Sequence, residues 1–167
     1  CYDELERISD IISDLEKLRQ IEDENMNLTK APIDLYELAQ TVRAAFEPEI
    51  QKKHLTCNLK GETAVILGDS KRLHQVISNL LSNAVKYSKD GGNINICLKS
   101  KGLKTVELIV EDEGIGIAKE DIPLIFERFY KTDMSRNRKT GGAGIGLTIV
   151  KAIVQAHGGK ITEESIE

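Results

Sequence analysis

Apolar residues recur along this chain with two periods, and each period marks a kind of element. Leu5, Ile8, Ile12 and Leu15 stand three and four residues apart, and Ile11 and Leu18 widen the stripe. The chain therefore opens in an amphipathic helix whose apolar face needs a partner. The pattern dissolves around "IEDENMN", so residues 22–27 read as a helix end and linker. After "KAPIDL" a second helix is predicted over 34–53, with Leu35, Leu38, Val42, Ala45 and Phe46 on one side. β-rich or alternating segments follow at 55–59, 64–67, 94–99 and 105–111, the last two joined by "SKGLK" into a hairpin. A long helix over 70–87 separates the second strand from the third. A short helix at 123–129, a basic loop, a helix opened by glycines and a strand at 160–163 complete the predicted elements.

Strand pairs interrupted by helices, without regular β–α–β alternation, indicate an α+β fold: a two-layer sandwich with helices on one face of a mixed sheet. At 167 residues the chain has room for one good core, and the domain predicted is 28–167, preceded by the helix and linker of 1–27. No apolar run approaches the roughly 20 residues needed to cross a bilayer, so no membrane contact is expected from this chain. A net charge of −4 argues against nucleic acid as the main partner, so any polyanion must be held by local donors. Cys1, Cys57 and Cys97 are odd in number and far apart; Cys57 and Cys97, in strand segments, are expected to be small core residues in a reducing compartment.

Candidate chemistry sits in three pieces. In "KRLHQVISNLLSNAVKYS" the residues Leu73, Val76, Ile77, Leu80, Leu81, Ala84 and Val85 form one apolar stripe. Gln75, Asn79, Asn83 and Lys86 form a polar stripe beside it. Asparagine costs about 0.5 kcal/mol relative to alanine inside a helix, so two on one stripe need a reason. Either the amides bond a neighbouring loop, or an amide oxygen coordinates a hard cation such as Mg²⁺ with Lys86 facing phosphate. The second piece is "EDEGIGI". The strand ends at Asp112, and Gly114 and Gly116 permit a turn with close backbone approach. Asp112 can accept a hydrogen bond from an exocyclic amine while a base slides against Ile115 or Ile117; alternatively it is an ordinary Asp-containing turn.

The third piece is "GGAGIGLTIVKAIVQAHGG", glycines running directly into an apolar helix, a place where backbone N–H groups can meet phosphate. It is not a P-loop, because Leu147 stands where the phosphate-binding lysine belongs after Gly141 and Gly146. It is not a dinucleotide fingerprint either, since Gly146 follows Gly142 and Gly144 one residue too early and polar, basic residues precede them.

Together the order "SNLLSNAVKYS", "DEGIGI", "IFERFYK", "GGAGIGL" resembles the asparagine box, first glycine box, phenylalanine box and second glycine box of bacterial sensor histidine kinases. The resemblance covers 33–164 and implies the Bergerat ATP-binding fold, with ATP and Mg²⁺ as ligands. It implies that Asn83 binds Mg²⁺, that Asn79 and Lys86 lie near the phosphates, and that Tyr87 packs on the adenine. Asp112 would bond the adenine amino group, with Gly114, Gly116 and Ile117 shaping the base pocket. Residues 131–143 would form a mobile lid carrying the basic "SRNRK", with Arg128 or Lys131 reaching the γ-phosphate. Gly142, Gly144, Ile145, Gly146 and Leu147 would cradle the triphosphate at the start of the last helix.

The related gyrase-like, chaperone and mismatch-repair ATPases place a water-activating glutamate four residues before the metal-binding asparagine, where this chain has Asn79. The missing base favours phosphoryl transfer to an external nucleophile over hydrolysis. The resemblance implies transfer to a histidine on a dimerisation hairpin, whose second helix the opening helix resembles. None of His54, His74 and His157 matches the acceptor motif, which would precede Cys1, and all three read as local structural residues. Implied partners are that acceptor helix in a dimeric parent kinase, and a response regulator; the implied location is cytoplasmic, with the parent anchored in a membrane. Members of the family continue past the segment that "ITEESIE" resembles into a final strand. The rival reading is a nucleotide-responsive interaction module, or a Bergerat-fold ATPase without kinase activity.

Overall fold

A computed structural model describes Ile12, Glu16 and residues 27–102, 105–131 and 144–165. Ile12 and Glu16 are helical; the rest of the opening helix lies outside the described residues, as does the predicted lid over 132–143. The chain divides into two compact units, Leu28–Gly116 and one containing Ile117–Glu167.

In the first unit the elements run β1 (Ala31–Asp34), α1 (Leu35–Ala45), α2 (Glu47–Lys52), β2 (Thr56–Lys60), β3 (Val65–Gly68), α3 (Ser70–Tyr87), β4 (Asn93–Ser100) and β5 (Val106–Asp112). The main sheet is mixed, in the order β2-β4-β5, with β2 parallel and β5 antiparallel to β4. Its alternation decides which face is covered. Ile94, Ile96 and Leu98 of β4 are buried, while the intervening Asn93, Asn95 and Cys97 are half-buried on the other face. Cys57 beside Ile94 and Leu59 beside Ile96 share the covered face, as do Val106, Leu108 and Val110 of β5. Against it pack Leu35, Ala39 and Val42 of α1 and Leu73, Ile77, Leu81, Ala84 and Val85 of α3, forming one core. Helices on one face of a mixed sheet are thus the observed arrangement. Cys57 belongs to the core and burial pushes its thiol pKa up, whereas Cys97 faces away from it, contrary to expectation, because it is out of phase with Ile96.

Three other expectations are corrected in this unit. The helix predicted over 34–53 is two helices, broken at Phe46. Pro48 lacks the N–H to continue the first helix, and its ring would strike the carbonyl of Ala44; at the start of α2 neither matters. A strand was missed: β1 pairs antiparallel with β3, Ile33 opposite Ile66, as a separate two-stranded sheet. Its four residues include Pro32, which hides the signal. The four strands that were expected each begin one residue or so away from their predicted bounds.

The second unit holds a short 3-10 turn (Ile122–Leu124) and α4 (Gly146–Ala156), whose Ile149, Val150 and Ile153 are buried. The helix predicted over 123–129 shrinks to this 3-10 turn and a run of turns ending at Phe129, where φ is 61° and an α-helix cannot continue. No strand forms at 160–163. Ile161 is the sole apolar side chain there, too little for a strand to bury, and the neighbouring Ser165 hydroxyl takes up the Ile117 N–H at 2.8 Å in place of a backbone carbonyl. α4 ends at His157, whose Nδ1 lies 2.8 Å from the Ile153 carbonyl oxygen, and Gly158, at φ 78°, supplies the left-handed stop. Among the described residues no helix is long and apolar enough to cross a membrane.

Candidate functional site

α3 begins where the sequence stops it from beginning earlier. Asp69 is extended, and its carboxylate accepts from the Arg72 N–H at 3.1 Å and from the Thr29 N–H at 2.9 Å, capping the helix and tying down the entry into β1. Eighteen residues follow without interruption. Because Val76, Ile77, Leu81, Ala84 and Val85 are buried, the helix cannot rotate, and Gln75, Asn79, Asn83 and Lys86 are held half-exposed along its flank. Asn83, half-buried on that flank, lies one helical turn beyond Asn79 and just before Lys86. The Lys86 ammonium lies 5.0 Å from the centre of the Tyr87 ring. That cation–π contact is worth about 0.5–1 kcal/mol at an exposed site, weak enough for a base to exchange with it.

Strand alternation places Asp112. It is the last residue of β5, opposite Ile94, and it points to the face that α3 covers. Asp112 as a whole residue is exposed, yet the protein around its carboxyl removes part of its water. That desolvation moves its pKa up from the ordinary carboxylate value, opposed by the Gly114 N–H, from which it accepts a hydrogen bond. The turn itself closes onto the helix end, with Ser88 bridging Gly114. A side chain at Gly114 would put its Cβ 2.4 Å from the Asp112 carboxylate and 3.0 Å from the Tyr87 carbonyl oxygen. Glycine is needed here for closeness, and at Gly116, with φ 73°, for conformation.

Asn79, Asn83, Lys86 and Tyr87 therefore share one helix, and the Asp112–Gly116 turn is fastened to that helix's end. One buried polar group there is unsatisfied: Ser88, 3% exposed, has a hydroxyl oxygen with no partner among the described residues. An orphaned hydroxyl and a partly desolvated carboxylate at one joint suit a ligand carrying hydrogen-bonding edges. The donor set for a cation is sparse, with no cluster of three His, Cys, Asp or Glu among the described residues. That chemistry fits Mg²⁺ held by one side-chain oxygen together with phosphate and water, and not an all-protein metal cage.

In the second unit Arg128 is exposed and Lys131 half-buried. A Cβ on Gly144, whose φ is 77°, would lie 2.6 Å from the Tyr130 carbonyl oxygen and 3.2 Å from Lys131, so the chain leaves at 131 and returns at 144 side by side. Gly142 and the "SRNRK" stretch lie outside the described residues. α4 starts at Gly146 with no side-chain cap at Ile145, and Leu147 is half-buried in its first turn. The Thr148 hydroxyl donates to the Phe126 carbonyl at 3.0 Å, fixing that turn to the "IFERF" segment. Thr148, Ser88 and Asp69 were not singled out by sequence reasoning. Only Asp69 carried a readable signal, an aspartate standing before an apolar helix.

A mixed sheet covered on one face by helices, with a glycine turn closed against an asparagine-bearing helix, defines a class. The family model for histidine kinase-, DNA gyrase B-, and HSP90-like ATPases matches residues 68–167, which include α3, the glycine turn and α4, and the chain belongs to that family. Within it the chain is similar to sensor histidine kinases. The sensor histidine kinase WalK of Bacillus subtilis is 35% identical over 166 residues, 98% of this chain and 27% of that protein. The structure of full-length ShkA in complex with AMPPNP is 28% identical with a TM-score of 0.77, covering 88% of this chain and 30% of that one. The Acinetobacter baumannii histidine kinase AdeS is 30% identical with a TM-score of 0.73, covering 91% and 68%. The chain spans about a quarter to a third of the length of the curated relatives it matches, 27% and 34% for the first two.

Proposed function

We propose that this chain is the ATP·Mg²⁺-binding catalytic domain of a sensor histidine kinase and transfers the γ-phosphate of ATP to a histidine on the dimerisation hairpin of its parent protein. The observation that carries the reading is the joint at the end of α3. It brings a carboxylate able to accept from an exocyclic amine next to a helix whose flank presents Asn79, Asn83 and Lys86. The family match and the AMPPNP bound by the similar ShkA support nucleotide as the ligand.

In this reading Asp112 accepts the adenine amino group, Gly116 and Ile117 border the base, and Tyr87 packs on it. The Asn83 amide oxygen holds Mg²⁺, while Asn79 and Lys86 lie toward the phosphates. Arg128, Lys131 and the Gly142–Leu147 stretch contribute charge and backbone N–H groups to the triphosphate. Bound Mg²⁺ would neutralise charge building on the transferring phosphoryl group. The residues of this chain orient the nucleotide and supply no general base, since the position four before Asn83 is Asn79, whose amide cannot take a proton from water. A strong external nucleophile such as imidazole needs no such base. The parent is proposed to act as a dimer on the cytoplasmic side of a membrane and to pass phosphate to a response regulator.

The test is phosphotransfer. This chain is mixed with γ-labelled ATP, Mg²⁺ and a helical hairpin carrying the parent's acceptor histidine. Acid-labile label on the hairpin, absent when that histidine is replaced, is the expected result. ATP binding without any label on the hairpin would refute kinase activity and leave a nucleotide-responsive module.

A further inference from the structure

The end of α3 is held by a second contact besides the glycine turn. A helix leaves its last four carbonyls without intrahelical partners. Here the Ala84 carbonyl accepts from the Ser88 N–H at 3.0 Å, and three of the next four are taken by one side chain. The Lys53 ammonium donates to the carbonyls of Val85 at 2.8 Å, Lys86 at 3.0 Å and Ser88 at 3.1 Å. That uses all three of its protons. The carbonyl left over, Tyr87, is the one packed against Gly114. A cation there also complements the negative end of the helix dipole.

Lys53 is in turn immobilised. Its N–H donates to the Glu49 carbonyl at 3.2 Å, and its carbonyl accepts from the Gly91 N–H at 3.0 Å. The next residue, His54, adopts φ 53°, which ends α2 at this point and turns the chain into β2. Thr56 N–H then donates to the Gly92 carbonyl at 3.0 Å, lacing the same two loops together.

We propose that Lys53 is a positioning residue for adenine recognition, acting through the backbone: by clamping the last turn of α3 it sets where Tyr87 and Ser88 stand, and so where the Asp112–Gly114 turn stands. The inference rests on the reading of Asp112 as the acceptor for the base amino group. If the clamp is released, water must serve three carbonyls, and the last turn of α3 can shift with the bridge between Ser88 and Gly114. Selectivity for the amino group is then lost ahead of affinity for the rest of the nucleotide.

The experiment compares ATP with purine riboside triphosphate, which lacks the 6-amino group, by calorimetry well below the melting temperature of each protein. Lys53→Met keeps the stem and removes the donors; Lys53→Arg keeps charge and donors. Losing one charge-assisted hydrogen bond corresponds to about a tenfold fall in the preference for ATP, and that is expected for Lys53→Met, with affinity for the amino-free nucleotide changed less than about threefold. Lys53→Arg should recover most of the preference. A folded Lys53→Met chain with wild-type preference overturns the proposal, and so does equal weakening of both nucleotides, which a purely structural lysine would give. If Lys53→Met does not fold, the same ratio is read for Lys53→Gln, where an unchanged preference overturns the proposal and a reduced one supports it. A wild-type chain with no preference overturns the adenine reading itself, an outcome distinct from a wild-type preference that Lys53→Met leaves intact.

Discussion

Replacing Gly114 by alanine separates the fold from the site. The added Cβ would stand 2.4 Å from the Asp112 carboxylate oxygen and 3.0 Å from the Tyr87 carbonyl oxygen. The first distance is impossible, but its partner is the end of a side chain that can rotate away. The second requires the backbone to yield only a few tenths of an ångström. Gly114 is not among the glycines with positive φ, so alanine meets no backbone strain there. Removing a glycine also stabilises by about 0.4–1 kcal/mol through the unfolded chain, offsetting the crowding. Folding stability should therefore change by less than about 1 kcal/mol. Binding should not escape so lightly. A carboxylate turned off the Gly114 N–H no longer faces the base, and a hydrogen bond to a charged group is worth roughly 1.5–3 kcal/mol, or about a 10- to 100-fold weaker affinity for ATP. Thermal melting and calorimetric titration with ATP·Mg²⁺ measure the two effects separately. A folded Gly114→Ala protein with wild-type ATP affinity would refute the claim that this contact aims Asp112 at the nucleotide.

Asp112→Asn should weaken ATP by about 2 kcal/mol in the same titration. The folded pKa of Asp112 is raised, so its contribution to stability is present in acid and lost as pH rises through that raised value. At neutral pH the Asn variant should consequently melt no lower than the wild type, and a clear loss of melting temperature would contradict the desolvation argument. Asn83→Ala removes the proposed oxygen ligand from a half-exposed position where alanine is the better helix former; the protein should stay folded and its ATP affinity should lose its Mg²⁺ dependence, which titrations with and without Mg²⁺ will show. Asp69→Ala should cost about 1–2 kcal/mol by denaturant unfolding, because the cap of α3 is lost. Desolvation pushes the Asp69 pKa up, but the N–H groups of Arg72 and Thr29 together bring it below the ordinary value. Its stabilisation is thus present above the unfolded pKa and lost as pH falls through the lowered one, so an Asp69→Asn protein should show a shallower acid loss of stability over that window.

How much of this was legible in the sequence depended on how local each cause is. α3 was read to the residue because a long apolar stripe acts within one segment, while its capping Asp69, legible in principle, went unread. β1 was not read, because four residues with a proline acquire their strand only by pairing with β3, thirty-odd residues away. The break at Phe46 was legible in principle from Pro48, but continuous apolar spacing on both sides masked it. The strand expected at 160–163 does not form, and Ile161 alone gives no alternation that would support one. At the candidate site, the motifs announced the helix, the strand-end carboxylate and the glycines. They were silent on what fastens these together, since the Ser88–Gly114 bridge and the Lys53 clamp are contacts between segments far apart in sequence. A lysine near a helix end looks the same on paper whether it reaches solvent or three carbonyls.

Backbone amide chemical shifts, followed by NMR as ATP·Mg²⁺ is titrated into the protein, report directly on whether nucleotide binds along α3 and the glycine turn. The largest changes are expected at Asn79, Asn83, Lys86, Tyr87, Asp112, Gly114 and Gly116, saturating together. Changes that spare α3 and the glycine turn would contradict binding there.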